Sequence, residues 1–153
     1  MNIVDDLKIK GIIEFLIKAK KATYAGDGNT TNSSRPCSHD LKYFEDNFEY
    51  YDSYFGTDPF IGEEALWSNG EIIWSMNYAG RKLDKEFEYG FLKEALLLVN
   101  SENPFRGPDE YSNGDYKYMC ETIGDFEWFQ GYESITFQGK LVYECYYHGG
   151  IVR

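Results

Sequence analysis

Asn69-Gly70 constrains the fold more than any other feature, because it separates two apolar and aromatic segments at 60–68 and 71–79. A two-residue type I′ turn needs positive φ at both positions, which Asn and Gly adopt most readily, so the dipeptide predicts a β-hairpin. Similar turn residues recur along the chain and predict strands over about 40–79 and about 115–147. Strands joined by tight turns pair antiparallel, which favours an antiparallel sheet of about six to seven strands built from hairpins.

Two segments show a helical rather than a strand-like pattern. Apolar residues recur at helical spacing between Ile9 and Ile17, which predicts a first helix over about 6–21, with a break at the glycines 26 and 28. A second apolar face, from Phe87 to Val99, predicts a helix over about 85–99. We therefore expect an α+β fold in which two amphipathic helices cover the sheet, a single domain over 1–153 and no internal repeat.

The charge balance limits the classes of partner. The 153 residues include 26 acidic and 15 basic side chains, a formal net charge of −11. Such a surface repels nucleic acid and anionic membranes, so we expect neither as a partner of this domain, whereas a basic protein would be attracted. Acidic Asp5 and Asp6 stand where a signal peptide needs basic residues, and three cysteines do not make a disulfide framework. These features predict a cytoplasmic protein.

Motifs of known chemistry are missing from the sequence. It contains no Walker A loop, Rossmann fingerprint, Gly-x-Ser-x-Gly elbow or His-Glu-x-x-His pair. Cys145 and His148 invite a zinc interpretation, but residues three apart on a strand point to opposite faces. We accordingly predict no catalytic residue, no metal site and no cofactor.

The first hairpin places a carboxylate in an unusual position. If strands of the hairpin pair regularly from the Asn69-Gly70 turn, Glu63 lies opposite Met76 and shares an aromatic face with Trp74. An unpaired buried charge is costly, so Glu63 should be protonated, paired with a base such as Arg81 or Arg35, or directed into a cleft. A ligand-binding carboxylate and a structural ion pair both fit this pattern.

A weaker turn at Gln138-Gly139 sets Glu133 opposite Glu144, which would require a cation, a shared proton or a different register. The segment 125–133 alternates aromatic and acidic residues. Aromatic walls with a few carboxylates suit a small planar or cationic ligand, and they equally suit an ordinary core. The predicted ligand-binding residues are Glu63, Trp67, Trp74, Asn77, Tyr78, Arg81, Trp128, Tyr132, Glu133 and Glu144.

Several long strings carry a family resemblance: SSRPCSHDL (33–41), GEEALWSNGEIIWSMNYAGR (62–81), FLKEALLLV (91–99), PFRGP (104–108), DFEWFQGYE (125–133) and YECYYHGG (143–150). They resemble a bacterial family of domains of unknown function, found as stand-alone proteins and behind an XRE-type helix-turn-helix in transcriptional regulators. The resemblance covers the chain from about Phe15 onward. It implies that DNA binding belongs to the fused module and that this fold senses or interacts. Residues inside the strings become candidates for a role: Arg35, Ser38, His39, Asp40, Glu63, Glu64, Asn77, Arg81, Arg106, Trp128 and His148.

Three functions follow from these observations. The favoured one is a small-molecule-binding sensor or regulatory domain. The alternative is an acidic protein-interaction module of the inhibitor or immunity type, whose net charge would steer a basic partner towards it. An enzyme that uses paired carboxylates as acid and base is less favoured, so we expect a role without catalysis.

Overall fold

The sheet dominates the fold. A computed structural model of the chain describes residues 3–24 and 30–153, and the strands within these residues form one sheet in the order β1-β2-β3-β4-β5-β9-β8-β7-β6, with every neighbouring pair antiparallel. The elements are α1 (Ile3–Tyr24), β1 (Thr30–Thr31), β2 (His39–Glu45), β3 (Phe48–Gly56), β4 (Phe60–Ser68), β5 (Glu71–Lys82), α2 (Tyr89–Leu96), β6 (Glu110–Asn113), β7 (Tyr116–Gly124), β8 (Trp128–Phe137) and β9 (Lys140–Ile151).

The predicted α+β class with six to seven strands is wrong, because the described chain is β-rich and its sheet is larger. Eight strands have four or more residues, and the two-residue β1 pairs with β2 as a ninth. The two helices have 22 and 8 residues. The strand β6 was missed because it lies in a segment whose Gly, Pro and Asn residues favour turns. The predicted antiparallel pairing is confirmed.

The helices pack on the face of the sheet that carries the buried side chains, which we call the inner face; the opposite face is the outer face. Ring contacts of Phe15 with Tyr43 and Phe48 hold α1 there. The second helix begins at Tyr89 rather than 85, because Phe87 leaves the helical path and stacks on Tyr143 with ring centroids 4.8 Å apart. The predicted break at residues 26–28 lies outside the described residues. Neither α1 nor α2 combines the length and apolar character that a membrane crossing requires.

The Asn69-Gly70 hairpin is confirmed, but its register is not the predicted one. Both turn residues have positive φ, 52° and 81°, and Ser68 faces Glu71. A β-bulge between Leu66 and Trp67 then inserts one extra residue into β5, so every pair beyond it is shifted by one. Side chains alternate between the two faces of a strand. A shift of one residue therefore moves a different set of β4 side chains onto the face that carries the inner side chains of β5.

The second hairpin has a β-bulge at the equivalent position. Gln138 and Gly139 form the turn with φ of 48° and 80°, and Phe137 faces Lys140 as predicted. A bulge between Ile135 and Thr136 shifts the remaining pairs, and therefore Glu133 faces Cys145. The predicted opposition of Glu133 and Glu144 is wrong for this reason.

These matching hairpins belong to a structural repeat, so the expectation of no internal repeat is wrong. The strands β2–β5 and β6–β9 form two four-stranded meanders, each preceded by one helix, which meet along β5 and β9. Gly62 faces Tyr78 in the first hairpin, and Gly131 faces Tyr147 in the second. Throughout the two hairpins, equivalent residues are separated by the same number of positions along the chain. The residues of the first hairpin that recur unchanged in the second are Phe60, Gly62, Glu64, Gly70, Tyr78 and Gly80.

A pseudo-two-fold axis relates the two halves. Tyr78 of β5 pairs directly with its equivalent Tyr147 of β9, and the pairs on either side are also exchanged by the repeat. In both halves a tyrosine ring lies over the glycine it faces, and a Cβ added to Gly62 or Gly131 would come within 2.6 Å of that ring. Glycine is therefore required where each ring crosses the neighbouring strand.

Each half buries one glutamate beneath a helix or loop. In the first half, Glu64 accepts hydrogen bonds from the Lys20 ammonium of α1 at 2.7 Å and from the Tyr50 hydroxyl. Both ionic side chains are fully buried, and Lys20 also donates to the Phe105 carbonyl at 2.7 Å. Burial lowers the pKa of Lys20, an effect that the adjacent Glu64 charge opposes.

In the second half the equivalent residue, Glu133, accepts two hydrogen bonds from the Arg106 guanidinium, at 3.1 and 2.9 Å. The hydroxyls of Tyr118 and Tyr143 donate to the same carboxylate at 2.5 and 2.8 Å. A buried ion pair of this kind is stable only if the remaining lone pairs of the carboxylate accept hydrogen bonds, and the two tyrosine hydroxyls donate those bonds. Burial, followed by the nearby Glu133 charge, raises the pKa of both hydroxyls.

Replacing Arg106 with leucine should therefore destabilise the fold far more than the same change at Arg81. The Arg106→Leu variant leaves Glu133 charged and buried, a loss of about 3–5 kcal/mol in the free energy of unfolding. Arg81 binds Glu144 on the outer face with 61% of its side chain exposed, so Arg81→Leu should cost no more than about 1 kcal/mol. Urea denaturation measures both values, and equal losses would contradict a structural role for the buried pair.

Candidate functional site

The predicted site residues are divided between the two faces of the sheet. Trp74, Tyr78 and Glu133 lie on the inner face. Trp74 belongs to the core, stacked between Phe126 and Phe129 at 5.5 and 5.8 Å. The remaining residues lie on the outer face: Glu63, Trp67, Asn77, Arg81, Trp128, Tyr132 and Glu144. The ten residues therefore do not line one site.

The prediction that Glu63 is buried is wrong. Its side chain is exposed and pairs across the sheet with Asn77 rather than Met76. Because of the bulge, the carboxylate on the aromatic inner face is the neighbouring Glu64. Within the described residues Glu63 makes no ion pair with Arg81 or Arg35. The burial argument was right for its chemistry and was applied to the wrong residue by one position.

Three of the predicted residues do meet on the outer face. The Arg81 guanidinium donates to Glu144 at 2.8 Å, and the Tyr132 hydroxyl donates to the other carboxylate oxygen at 3.2 Å. Trp128, predicted as an aromatic wall, is 79% exposed at the edge of this face.

The inner face of the first half contains a cavity of about 550 Å³, between the strands β3–β5 and the helix α2. Buried polar side chains form its floor: Asp52, Tyr78 and Arg106. Asp52 accepts a hydrogen bond of 2.5 Å from the Tyr78 hydroxyl, and the Arg106 guanidinium lies 5.4 Å from the centre of the Tyr78 ring. We call this cavity the inner pocket.

Apolar and aromatic side chains form the walls of the inner pocket. Phe60 of β4 lies on one side, and Leu92 and Leu96 of α2 lie on the other. Exposed residues at the beginning of α2, including Tyr89 and Gly90, form its rim. Cavities of roughly 300–1,000 Å³ with apolar walls and a few convergent polar groups are typical of small-molecule sites.

Asp52 is the electrostatically unusual group of the pocket. It is 5% exposed, and burial raises its pKa to about 7, with the Glu64 charge on the neighbouring strand as the next cause. The Tyr78 hydrogen bond and the charges of Lys20 and Arg106 act in the opposite direction. The opposed carboxylates of the fold are thus Asp52 and Glu64, which face each other across β3 and β4.

Sequence reasoning missed Asp52, and it named Arg106 only as a candidate for a role through the resemblance, not as a ligand-binding residue. The run Tyr50-Tyr51-Asp52-Ser53-Tyr54 does carry a signal, because strand alternation puts its aspartate between two tyrosines on one face. Arg106 lay inside one of the resemblance strings, as did Glu64. No local pattern could place Arg106, since it follows α2 in an irregular loop and reaches the core only through the tertiary fold.

The fold and the pocket define a β-rich domain of two related halves, each of which borders a cavity, and the inner pocket of the first half has a floor of buried polar side chains. The sequence matches the family described as Domain of unknown function (DUF5680) over residues 52–152, and the chain belongs to that family. The match includes Asp52, Tyr78, Arg106 and both buried glutamates. Comparisons with curated proteins and with solved structures gave no match.

Replacing Asp52 with asparagine should change how stability depends on pH. The raised pKa means that the folded protein binds a proton which the unfolded chain releases, so stability from this group is lost as the pH rises through about 7. Asparagine has no such loss, and the advantage of Asp52→Asn over the unmodified chain should grow from about pH 5 to about pH 8.

Thermal denaturation across this range measures the effect. Asp46→Asn is the matched control, because Asp46 is exposed in the β2–β3 turn and the change removes the same charge. Its difference from the unmodified chain should stay constant with pH. Parallel curves for the Asp52 variant and the control would show that Asp52 ionises normally in the folded protein.

Proposed function

We propose that this chain is a small-molecule-binding domain and that the inner pocket is its ligand site. The observation that carries the proposal is a cavity of about 550 Å³ whose floor holds a buried carboxylate and whose walls are apolar. Burial raises the pKa of Asp52, and a buried carboxyl with a perturbed pKa in a cleft is a candidate functional group.

The regulatory setting of the proposal comes from the resemblance described above. In that setting the domain is cytoplasmic and bacterial, and it acts as the sensing part of regulators in which an XRE-type helix-turn-helix binds DNA. The bound state of the inner pocket would then be the signal. Because α2 forms one wall of the pocket, a ligand would contact the helix as well as the sheet.

The alternative function, an acidic module for a basic protein, would use the outer face. Exposed apolar side chains occur there next to acidic ones, among them Ile61 at 59%, Tyr146 at 59% and Trp128 at 79% exposure. Such a surface would recognise a partner through its rim charges and exposed rings rather than through the inner pocket. The two functions therefore respond to substitutions on opposite faces.

Filling the inner pocket should abolish binding of small molecules. Gly90 lines the rim of the pocket, and a Cβ added there meets no heavy atom within 4 Å, so Gly90→Trp places a large side chain at the pocket entrance without a clash at its Cβ. A fragment set of aromatic amines, alcohols and carboxylates, measured by saturation-transfer NMR, should contain binders with dissociation constants on the order of 1 mM or below. These binders should be lost in Gly90→Trp.

Gly11→Trp is the matched control, because Gly11 is also helical and also has open space around an added Cβ. It lies on α1 and does not line the pocket. Binding should survive in this variant. Absence of any binder to the unmodified chain, or binding that survives Gly90→Trp, would contradict the proposed function. Binding lost only in Trp128→Ala would favour the outer face.

A further inference from the structure

The buried charges of the inner face do not balance. Two cations, Lys20 and Arg106, are each within 2.9 Å of one carboxylate, Glu64 and Glu133 respectively. Asp52 is a third buried carboxylate, and no lysine or arginine of the described residues forms an ion pair with it. When Asp52 is ionised, three buried carboxylates therefore face two buried cations on the inner face, an excess of one negative charge among the described residues.

The second half of the molecule shows how the equivalent surface is covered. The repeat relates Phe60 of the pocket wall to Phe129. The ring centroid of Phe60 lies 5.9 Å from that of Tyr78, and the ring centroid of Phe129 lies 6.3 Å from that of Tyr147. In the second half the Phe105 ring packs on Phe129 with centroids 4.1 Å apart. The loop after α2 thus places an aromatic ring on Phe129, whereas the matching surface at Phe60 borders the inner pocket.

The polar contacts of the two halves differ in a consistent way. Asp52 and Tyr54 of β3 correspond to Cys120 and Thr122 of β7, and the Thr122 hydroxyl donates to the Asn103 side chain at 3.2 Å. The second half also borders a cavity, of about 440 Å³, beside Asn103, Phe105 and Thr122, but the carboxylates that line it are exposed ones of the loop and of β6 rather than a buried one of the sheet. The first half replaces the neutral thiol of Cys120 with the carboxylate of Asp52, so the occupant that fits it carries a positive charge.

We propose that the ligand of the inner pocket is an organic ammonium compound with an aromatic or similarly flat apolar body, its ammonium bound by Asp52 and its body packed against Phe60. The inference rests on the proposed function and names its ligand class. Tyr54 and Tyr78 add aromatic surface, which stabilises a cation further. The apolar body of the ligand packs on Phe60 in the way that the Phe105 ring packs on Phe129 in the second half.

A carboxylate ligand bound by Arg106 fits the structure less well. The Arg106 charge is already matched by Glu133 through two hydrogen bonds. A ligand carboxylate would also approach Asp52, which shares the pocket floor, and like charges in a buried site repel strongly. Lys93 lies only at the rim, on the exposed side of α2.

Three probes of matched shape test the proposal: 2-phenylethylamine, the neutral 2-phenylethanol and the anionic 3-phenylpropanoate. At pH 8, titration calorimetry or NMR should show the amine binding at least about tenfold more tightly than either of the others, since a hydrogen bond between an ammonium and a carboxylate is stronger than one between neutral groups. Asp52→Asn should remove this preference and leave the weak binding of the alcohol unchanged, which also shows that the variant is folded.

Asp46→Asn is again the control, and it should keep the preference for the amine. Equal binding of amine and alcohol, tightest binding of the carboxylate, or a preference that survives Asp52→Asn would each overturn the proposal. The last outcome would assign the preference to the overall negative charge of the chain. If other fragments bind in the pocket but none prefers an amine, this inference fails and the proposed function stands; if no fragment binds, both fail.

Discussion

The fold depends on two buried carboxylates, each neutralised by a cation that comes from outside the sheet. Glu64 and Glu133 occupy equivalent strand positions, and Lys20 and Arg106 reach them from α1 and from the loop after α2. A charged partner missing from either cluster would leave an ion in a dry core. The clusters thus fix where the first helix and the loop after α2 dock on the sheet, and these two segments border the inner pocket.

Local turn chemistry predicted the hairpins well, and the loss of accuracy began at the bulges. Asn69-Gly70 and Gln138-Gly139 form the expected turns, yet one inserted residue after each turn reversed the face assigned to Glu63 and misplaced the partner of Glu133. No residue type at these positions marks a bulge. What selects it is burial: the bulge brings Trp74 and Tyr143 into the core, each on the same face as the glutamate of its half.

The repeat explains why the sequence concealed its own organisation. Few residues are identical between the halves, and they include the glycines beneath Tyr78 and Tyr147 and the two buried glutamates. Most of the other equivalent positions carry different residues. The two halves differ at the candidate site, because Phe105 packs on Phe129 in the second half whereas Asp52 and Phe60 border the inner pocket in the first half. Such a difference is visible only when both halves are compared in three dimensions.

The central claim is that the inner pocket binds an aromatic ammonium compound, whose ring packs against Phe60 as the Phe105 ring of the loop packs against Phe129 in the second half. A crystal structure of the chain grown with 2-phenylethylamine tests it most directly. The account predicts the ammonium nitrogen within about 3 Å of an Asp52 carboxylate oxygen and the phenyl ring against Phe60, beside α2. An amine bound on the outer face or beside Asn103, with the inner pocket empty or collapsed, would contradict it.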